Sequence, residues 1–232
     1  MPPLAARYAD HAHWERAKID GTAAARRLDS WVRTLRGAPP LQLPTSYPRP
    51  AFQRFEGNIV PVRLDGALAA SLHALCARVG VTPYMALLGV FAIVLARHAG
   101  QRDVCIGSPV ANRANTATHG LIGLFVNTVV MRIDLTGQPS VETLLRRVRD
   151  TALAAYAIND VPFEQVVNAL DVPRDTARPP LAQVMLNLQT DAAQALHLEG
   201  LVGEPLTVHN GTAKCELTLD LVQTEAGFEG FL

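Results

Sequence analysis

Two polar clusters interrupt apolar stretches of this sequence, and they are the first places where chemistry could occur. The first is Gly107-Ser108-Pro109, followed by Asn112 and Arg113, at the end of a predicted buried strand. Ser108 has no base beside it in sequence, so the pattern gives little support to nucleophilic catalysis. A small polar side chain that lines a channel fits the cluster better.

The second cluster covers residues 174–180 and reads RDTARPP. Its two arginines, Arg174 and Arg178, flank the carboxylate of Asp175. An arginine–carboxylate clamp that fixes the loop is the simpler interpretation, because a planar guanidinium binds a carboxylate through two parallel hydrogen bonds. A functional polar site is the alternative.

The apolar run from Gly120 to Arg132 contains one unexpected residue, Asn127. The run hardly alternates, which predicts a strand covered on both faces and therefore in the middle of a sheet. Asn127 is a poor strand former. Its amide must be hydrogen-bonded or cost roughly 1–3 kcal/mol. Two interpretations stay open: an amide that bridges neighbouring strands, or a contact to substrate.

The sequence contains no G-x-S-x-G, Walker, dinucleotide-binding or H-E-x-x-H motif. His11 and His13 are two residues apart in a helical stretch, so they point to different faces and cannot share a metal ion. The three cysteines, Cys76, Cys105 and Cys215, are far apart and lie in apolar contexts. We therefore predict no metal site and expect buried free thiols in a reducing compartment.

The amino-acid composition limits the kinds of partner that we expect for this chain. The chain has 232 residues, is 49% hydrophobic and 18% charged, and has a formal net charge of zero. These values predict a well-buried globular fold and give no electrostatic reason to expect nucleic acid or a membrane surface as partner. The longest nearly apolar run, Met85 to Ala96, is too short to span a bilayer. Residues 1–20 contain no secretion signal, so we predict a cytoplasmic protein.

The sequence marks the boundaries of the helices and strands that would position these residues. Residues 4–36 form one long helical pattern that Gly37 ends. Residues 37–50 contain five prolines and predict a stiff connector. A strand at 58–64 is placed at an edge by Pro61, and two helices follow. Asp65 and Gly80 bound the first helix, and Thr82-Pro83 and Gly100 bound the second, whose apolar residues on every side predict complete burial.

The second half of the chain predicts strands at 103–110, 181–190 and 214–223, with a further strand beginning at 227. Helices begin after Ser140 and at Pro162. The sum is an α/β, two-layer sandwich in which about four helices cover a mixed sheet. Because the chain stops inside the last predicted strand, we expect it to be a truncated piece of a longer protein.

Four ordered blocks of this sequence resemble nonribosomal peptide synthetase condensation domains. Residues 8–14 (YADHAHW) resemble Y-x-D-Y-A-V-W, and residues 121–132 match I-G-x-F-V-N-T-x-x-x-R. Residues 159–164 (NDVPFE) resemble H-Q-D-x-P-F-E, and residues 174–189 match R-D-x-S-R-x-P-L-F-Q-V-M-F-x-L-Q. The resemblance divides the chain into an N-terminal helix and Pro-rich connector (1–50) and a C-terminal condensation-domain lobe (51–232).

The resemblance implies a chloramphenicol-acetyltransferase-like lobe that works with partners. In this family two lobes form a V, and donor and acceptor peptidyl carrier proteins present thioesters on phosphopantetheine arms. The acceptor amine then attacks the donor thioester to form an amide. The family's H-H-x-x-x-D-G motif belongs to the N-terminal lobe, and His11-x-His13 has the wrong spacing. No catalytic residue is therefore assigned to this chain, and whether it is an enzyme by itself stays open.

The resemblance also suggests a role for individual residues. The loop 111–119 would form part of a tunnel floor, and the strand from Leu181 would border a latch to the missing N-terminal lobe. We expect an exposed apolar or channel-lining face around Ser108 and 181–188. Ala182 replaces the usual Phe and is expected to enlarge the pocket. The predicted substrate-tunnel residues are Ser108, Pro109, Asn112 and Asn127. The predicted structural residues are Asp10, Trp14, Arg132, Asp160, Pro162, Phe163, Glu164, Arg174, Asp175 and Arg178.

The resemblance leaves three functions open. The first is the C-terminal lobe of an amide-forming condensation domain, inactive alone. The second is the same lobe of an epimerisation domain or a free-standing acyltransferase; residues 125–128 (FVNT) favour condensation over epimerisation. The third is a non-catalytic module that docks carrier proteins.

Overall fold

A computed structural model describes residues 6–19, 21–113, 115–172, 175–190, 200–201, 206 and 208–232. These residues form one mixed sheet of six strands in the order β1-β6-β5-β4-β2-β3. The pairs β2–β4 and β4–β5 are parallel, and the other pairs are antiparallel. The strands are β1 (Pro61–Leu64), β2 (Asp103–Val110), β3 (Asn127–Asp134), β4 (Val184–Gln189), β5 (Leu217–Thr224) and β6 (Gly227–Phe231).

The described residues form six α-helices: α1 (Tyr8–Ile19), α2 (Thr22–Leu35), α3 (Gly66–Val79), α4 (Pro83–Ala99), α5 (Val141–Tyr156) and α6 (Phe163–Ala169). Four of them, α3, α4, α5 and α6, contact the sheet, and α2 packs against α6. The predicted α/β class, with about four helices that cover a mixed sheet, is therefore confirmed.

The predicted helix boundaries are confirmed where the sequence supplies caps. The side chains of Asp65 and Thr82 each accept a hydrogen bond from an amide in the first turn of α3 and α4. Gly80 and Gly100 end these helices in the left-handed conformation, with φ of 75° and 65°. Ser140 caps α5 in the same way as Asp65 caps α3.

The prediction of one helix over residues 4–36 is wrong, because the chain forms α1 and α2 with a break at Gly21. Gly21 has extended backbone angles (φ −85°, ψ 156°) and is the N-cap of α2. Glycine in a helix interior loses backbone entropy, which makes this the weakest point of the pattern. Trp31 and Leu35 of α2, and Leu41 of the connector, are buried in the same core as the sheet. The division of the chain at residue 50 stays a prediction.

The prediction of a central strand over Gly120–Arg132 is also wrong. Only the part from Asn127 onward is a strand, and β3 lies at the edge of the sheet, paired with β2 alone. Its apolar character has another cause: α5 packs against β3, and residues 129–131 are all buried. The residues before Asn127 form no strand, and Ile122 is 91% exposed.

Helix α4 is not buried on all sides, in contrast to the prediction. Leu88 and Ala92 are completely buried, whereas Val90 and Val94 are 51% and 45% exposed. These valines lie four residues apart and form an apolar stripe that faces outward. No single helix among the described residues has the length and hydropathy to cross a bilayer; α3 and α4 pass by composition only as a pair bent by 103°.

All three cysteines are free thiols. Cys76 and Cys105 are buried, as predicted, and Cys215 is half-buried. Burial raises the pKa of Cys105 to about 12, so this thiol is protonated at neutral pH.

The face of the sheet that lies opposite α3, α4 and α5 is only partly covered; we call it the second face. The connector is attached there through Leu41, whose backbone exchanges two hydrogen bonds with the side chain of Gln183 (2.6 and 3.0 Å). Over β4, β5 and β6 the same face is open, and a groove there is lined by Met185, Thr218 and Phe231. We call this feature the open groove.

Arg132 joins the sheet edge to the end of α2. Its guanidinium donates to the carboxylate of Asp103 at 2.7 and 3.0 Å, and to the carbonyl oxygens of Thr34 and Arg36 at 2.9 and 3.0 Å. These carbonyls lie at the C-terminus of α2, where backbone acceptors lack partners and the helix dipole favours a cation. The hydrogen bonds to Asp103 raise the pKa of Arg132.

Replacing Arg132 with Gln should lower the free energy of unfolding by about 1–2 kcal/mol, since the helix end and Asp103 both lose a charged donor. Urea denaturation followed by circular dichroism measures this change. The matched control is Arg146→Gln, which removes an exposed pair with Glu142 and should cost no more than about 0.5 kcal/mol. Equal effects of the two substitutions would contradict this role of Arg132.

Candidate functional site

The adjoining ends of β2 and β3 bring three of the predicted tunnel residues together. Ser108 and Pro109 are near the end of β2, opposite the beginning of β3 at Asn127. Ser108 is only 4% exposed, and it lies near the hydroxyl of Tyr84 on α4, whose pKa is raised by burial. Ser108 thus lies under the helices, and its contact with substrate stays a prediction.

Ala182 packs against β2 and does not open space beside it. A Cβ built on Gly107 would lie 2.9 Å from the Cβ of Ala182 and 3.3 Å from the side chain of Met185. The small residues 107 and 182 therefore allow close packing of the chains. The expected enlargement of a pocket by Ala182 is not found at this contact.

The amide of Asn127 is fully engaged with the loop before α6. Its Nδ2 donates to the carbonyl oxygens of Asn159 and Val161 at 2.8 and 2.7 Å. Its Oδ1 accepts from the backbone N–H of Phe163 at 3.1 Å. Asn127 is thus a satisfied amide, but it ties β3 to a loop and not to a neighbouring strand. Since both amide protons are taken, a contact to substrate would have to use the carbonyl oxygen.

The loop between β2 and β3 is organised by Arg113, a residue of the first polar cluster for which no role was predicted. The guanidinium donates to the carbonyl oxygens of Thr118 and Leu121, and it lies 3.9 Å from the ring centroid of Phe125. The backbone oxygen of Arg113 bonds to the ring of His119 at 2.9 Å. An arginine at the start of a loop that offers many carbonyls and an aromatic ring is the signal that could have identified it.

Helix α1 holds the second half of this loop. The hydroxyl of Tyr8 donates to the carbonyl oxygen of Leu124 at 2.8 Å, and its ring meets Phe125 edge-on at 5.3 Å. The ring of buried His11 lies 4.6 Å from that of Phe125. A Cβ on Gly123 would lie 2.2 Å from the ring of Tyr8, so only glycine fits there without displacing the ring.

This arrangement displays three apolar side chains to solvent. Ile122, Leu124 and Val126 are 91%, 77% and 57% exposed, whereas Leu121 before them and Phe125 among them are buried. We call the three exposed residues the apolar strip. We expected an exposed apolar or channel-lining face around Ser108 and 181–188. Ser108, Val184 and Leu186 are buried, whereas Met185, on the opposite face of β4, lines the open groove. The apolar strip is a further exposed surface, immediately before β3.

A cavity of about 160 Å³ lies behind the loop and collects several of the predicted residues. Asn112 lines it in the left-handed conformation (φ 50°), together with Trp14 and Pro162. Asp160 also lines it and forms ion pairs with Lys18 and Arg27. These contacts connect α1, α2 and the loop before α6.

In the part that the structure describes, the second polar cluster contains one arginine–carboxylate ion pair, without the two parallel hydrogen bonds of a clamp. Asp175 accepts from the backbone of Ala177 at 2.8 Å and pairs with Arg178 at 3.4 Å. Arg178 also donates to the side chain of Gln42 in the connector at 3.3 Å. Arg174 lies outside the described residues.

The other predicted structural residues lie apart from the sheet edge. Glu164, in the first turn of α6, lines a cavity with Phe163, Asp175 and Arg178. Asp10 accepts from the backbone N–H of Arg7 at 2.9 Å at the start of α1, and this arginine lowers the pKa of Asp10. The described residues contain no group of three His, Cys, Asp or Glu side chains that could hold a metal ion.

Comparison with known proteins identifies similar sequences. Residues 1–229 match the model of the Condensation domain family. The chain is 43% identical over 230 residues to a component of the linear gramicidin synthase of Brevibacillus parabrevis, a match that covers 98% of this chain and 4% of that protein. It is 41% identical over 233 residues to malpinin synthetase from Mortierella alpina, with coverage of 100% and 3%. The chain therefore spans a small part of the curated relatives that it matches.

Two solved structures are similar over the whole chain. The X-domain from teicoplanin biosynthesis has a TM-score of 0.89 and 26% identity, and the match covers 100% of this chain and 54% of that one. The complex of the X-domain and OxyB from teicoplanin biosynthesis gives a TM-score of 0.84 at 25% identity, with coverage of 100% and 53%. This chain thus spans about half of each solved domain.

Replacing Asn127 with Leu should lower the free energy of unfolding by roughly 1–3 kcal/mol, because two carbonyls and one amide lose their partner. Thermal or urea denaturation measures the loss. Asn168→Leu, at an exposed position of α6, is the matched control and should leave stability nearly unchanged. An unshifted melting curve for Asn127→Leu would contradict the structural role.

Replacing Gly123 with Ala should loosen the apolar strip, because the added methyl group displaces the ring of Tyr8. We expect the order parameters of the backbone N–H groups of residues 121–126 to fall from about 0.85 towards roughly 0.6, because the hydrogen bond from Tyr8 to the carbonyl oxygen of Leu124 and the contact of its ring are lost. Nuclear magnetic resonance relaxation measures these values, and Gly66→Ala, where the nearest atom to a Cβ is 3.5 Å away, serves as control. Unchanged order parameters in the Gly123 variant would show that Tyr8 does not hold the loop.

Proposed function

This chain belongs to the Condensation domain family, and we propose that it is the C-terminal lobe of an amide-forming condensation domain of a nonribosomal peptide synthetase. Its α/β fold with a mixed sheet is the chloramphenicol-acetyltransferase-like fold expected from the resemblance. The sequence carries the family blocks at 8–14, 121–132, 159–164 and 174–189 but not H-H-x-x-x-D-G. In this proposal that motif comes from an N-terminal lobe of the same domain.

The observation that carries the proposal is the way in which the apolar strip is held. Tyr8, Phe125 and Arg113 fix the backbone of this segment, while Ile122 and Leu124 point outward. Exposing large aliphatic side chains on an ordered segment is costly unless a partner covers them. The N-terminal lobe is the partner that the family resemblance supplies.

The proposed reaction joins two substrates carried on phosphopantetheine arms. The amine nitrogen of the acceptor attacks the thioester carbonyl of the donor, a C–N bond forms, and the C–S bond breaks. The donor carrier leaves as a free thiol and takes up the proton that the amine loses. This chain would contribute the tunnel wall from the ends of β2 and β3, and the floor from residues 111–119. It would assist no proton transfer, so it should be inactive alone.

The partners in this proposal are the N-terminal lobe and the donor and acceptor peptidyl carrier proteins. The tunnel roles of Ser108, Pro109, Asn112 and Asn127 remain part of the proposal, as does the latch that the strand from Leu181 would border. The cytoplasmic location predicted from the sequence also stays a prediction.

A second candidate is a docking module without catalytic activity. The observation that favours it is the likeness to the X-domain from teicoplanin biosynthesis, which has been solved in a complex with OxyB. In this case the apolar strip would bind another protein, and no amide would form. The two functions differ in whether a complete domain joins carrier-bound substrates.

Amide formation distinguishes these functions. Loaded donor and acceptor carriers are mixed either with the chain alone or with the chain joined on one polypeptide to its own upstream lobe. Mass spectrometry then measures the carrier-bound products. We expect product only from the joined form. Product formation at an enzymatic rate by the chain alone would refute the half-domain proposal, and a joined form that binds a partner protein but joins no substrates would favour docking.

A variant of the apolar strip tests the proposed interface. An exposed apolar face also favours self-association of the chain alone. Leu124→Asp should weaken this self-association, and the assembly of the chain with a separately supplied N-terminal lobe, by at least about tenfold, since a charge would be buried at the contact. Light scattering and sedimentation measure both. Val90→Asp, at the 51% exposed stripe of α4, is the control and should change neither.

A further inference from the structure

The open groove contains a carboxylate that the proposed wall and floor do not use. The groove has a volume of about 1010 Å³ and lies on the second face of the sheet. Asp220, in the middle of β5, lines it. In the register of the sheet, Asp220 lies opposite Asn187 of β4 and Phe231 of β6.

Two acidic side chains on this face have different surroundings. Glu216 receives two hydrogen bonds of 2.8 Å from the guanidinium of Arg49 and one of 3.0 Å from Gln183. Asp220 accepts a single hydrogen bond, from Nδ2 of Asn187 at 3.1 Å, and no Lys or Arg of the described residues forms an ion pair with it. Glu216 is thus a satisfied structural charge, whereas Asp220 keeps acceptor capacity toward the groove.

The electrostatics of Asp220 agree with this geometry. Burial raises the pKa of Asp220, and only the hydrogen bond from Asn187 opposes the rise. A cation stabilises the ionised form of such a half-buried carboxylate, because its charge replaces the interaction with water that burial has removed.

The groove is also lined by Arg54 and Lys214, but the side chains next to Asp220 in the sheet are uncharged and can bind an alkylammonium group. Thr218, two residues earlier on the same face of β5, supplies a hydroxyl. Met185 and Phe231 supply a thioether and an aromatic ring that can contact methylene groups. A chain of a few methylenes that ends in a primary ammonium presents both kinds of surface.

We propose that Asp220 is a specificity-determining residue that binds the side-chain ammonium of a basic aminoacyl substrate, such as an ornithyl or lysyl group. The proposal rests on the proposed function, and it adds that the open groove borders the reaction chamber. Pro109, a proposed tunnel residue, is on β2, which is separated from β5 and Asp220 by β4 alone. The ammonium is not the reacting amine. A carboxylate stabilises the protonated form, whereas the nucleophile needs a free electron pair.

The test uses the complete domain, in which this chain is joined to its upstream lobe. Competing substrates are ornithyl and norleucyl groups, which have the same length and differ in charge. The competing pair is supplied in one experiment on the acceptor carrier and in another on the donor carrier. The experiment that shows a preference identifies whether the acceptor or the donor substrate reaches Asp220. The measured quantity is the ratio of the two amide products.

We expect the wild-type domain to favour the ornithyl substrate on one carrier. Asp220→Asn should reduce that preference by roughly tenfold, as expected for the loss of one charged hydrogen bond. Asp220→Lys should shift the preference toward a glutamyl substrate, a gain that damage to the fold would not produce. Glu229→Gln, which removes an exposed carboxylate paired with Arg63 on β1, should leave the ratio unchanged.

Four outcomes would overturn the proposal. A wild-type domain that forms amides without preference, or a preference that survives Asp220→Asn, excludes ammonium binding and leaves the proposed function intact. An equal loss with both substrates in Asp220→Asn, accompanied by weaker assembly of the lobes, assigns Asp220 to the interface. A wild-type domain that forms no amide with any pair refutes the proposed function together with this inference.

Discussion

The amide of Asn127 is the constraint on which the candidate site depends, because it attaches an edge strand to a loop more than thirty residues away. One edge of β3 is paired with β2, and its first residue uses its side chain to replace the missing neighbour. The same loop is held from the other side by the indole of Trp31, which donates to the carbonyl oxygen of Ile158 at 3.0 Å. Asp160 adds its ion pairs to α1 and α2. The sheet edge and two helices therefore converge on a single short turn.

That convergence explains how an apolar segment can be both ordered and exposed. The segment before Asn127 has no strand partner, so its backbone depends on Tyr8 and Arg113 for hydrogen bonds. Leu121 and Phe125 fill the buried side of the segment, whereas Ile122 and Leu124 face solvent. Fully burying each large aliphatic side chain is worth roughly 1.5–3 kcal/mol. The chain does not gain this free energy by folding, but a partner that covered Ile122 and Leu124 would gain it on binding.

Local signals in the sequence predicted the fold better than patterns that depend on distant residues. The caps at Asp65, Thr82 and Ser140 act within one turn, so the helix boundaries followed from the sequence. The position of β3 could not follow, since a strand covered by helices at a sheet edge has the same apolar composition as a central one. In the site, the need of Asn127 for hydrogen bonds was predictable, but its partners at 159–163 were not, because they come from a separate part of the chain. Arg113 was missed for a related reason, since its contacts depend on how the loop folds back over it.

The parallel part of the sheet explains where the predicted residues gather. Strands β2, β4 and β5 run in the same direction, and the loops after them leave from one end of the sheet. Ligands of open α/β sheets bind outside the carboxyl ends of such strands, where loops rather than pairing partners meet the backbone. Pro109 and Asn127 lie at that end, and Asp220 lies further along the face of the sheet that stays open. In the proposed function, the reaction at the strand ends and the selection of substrate on the open face would thus be separated within one sheet.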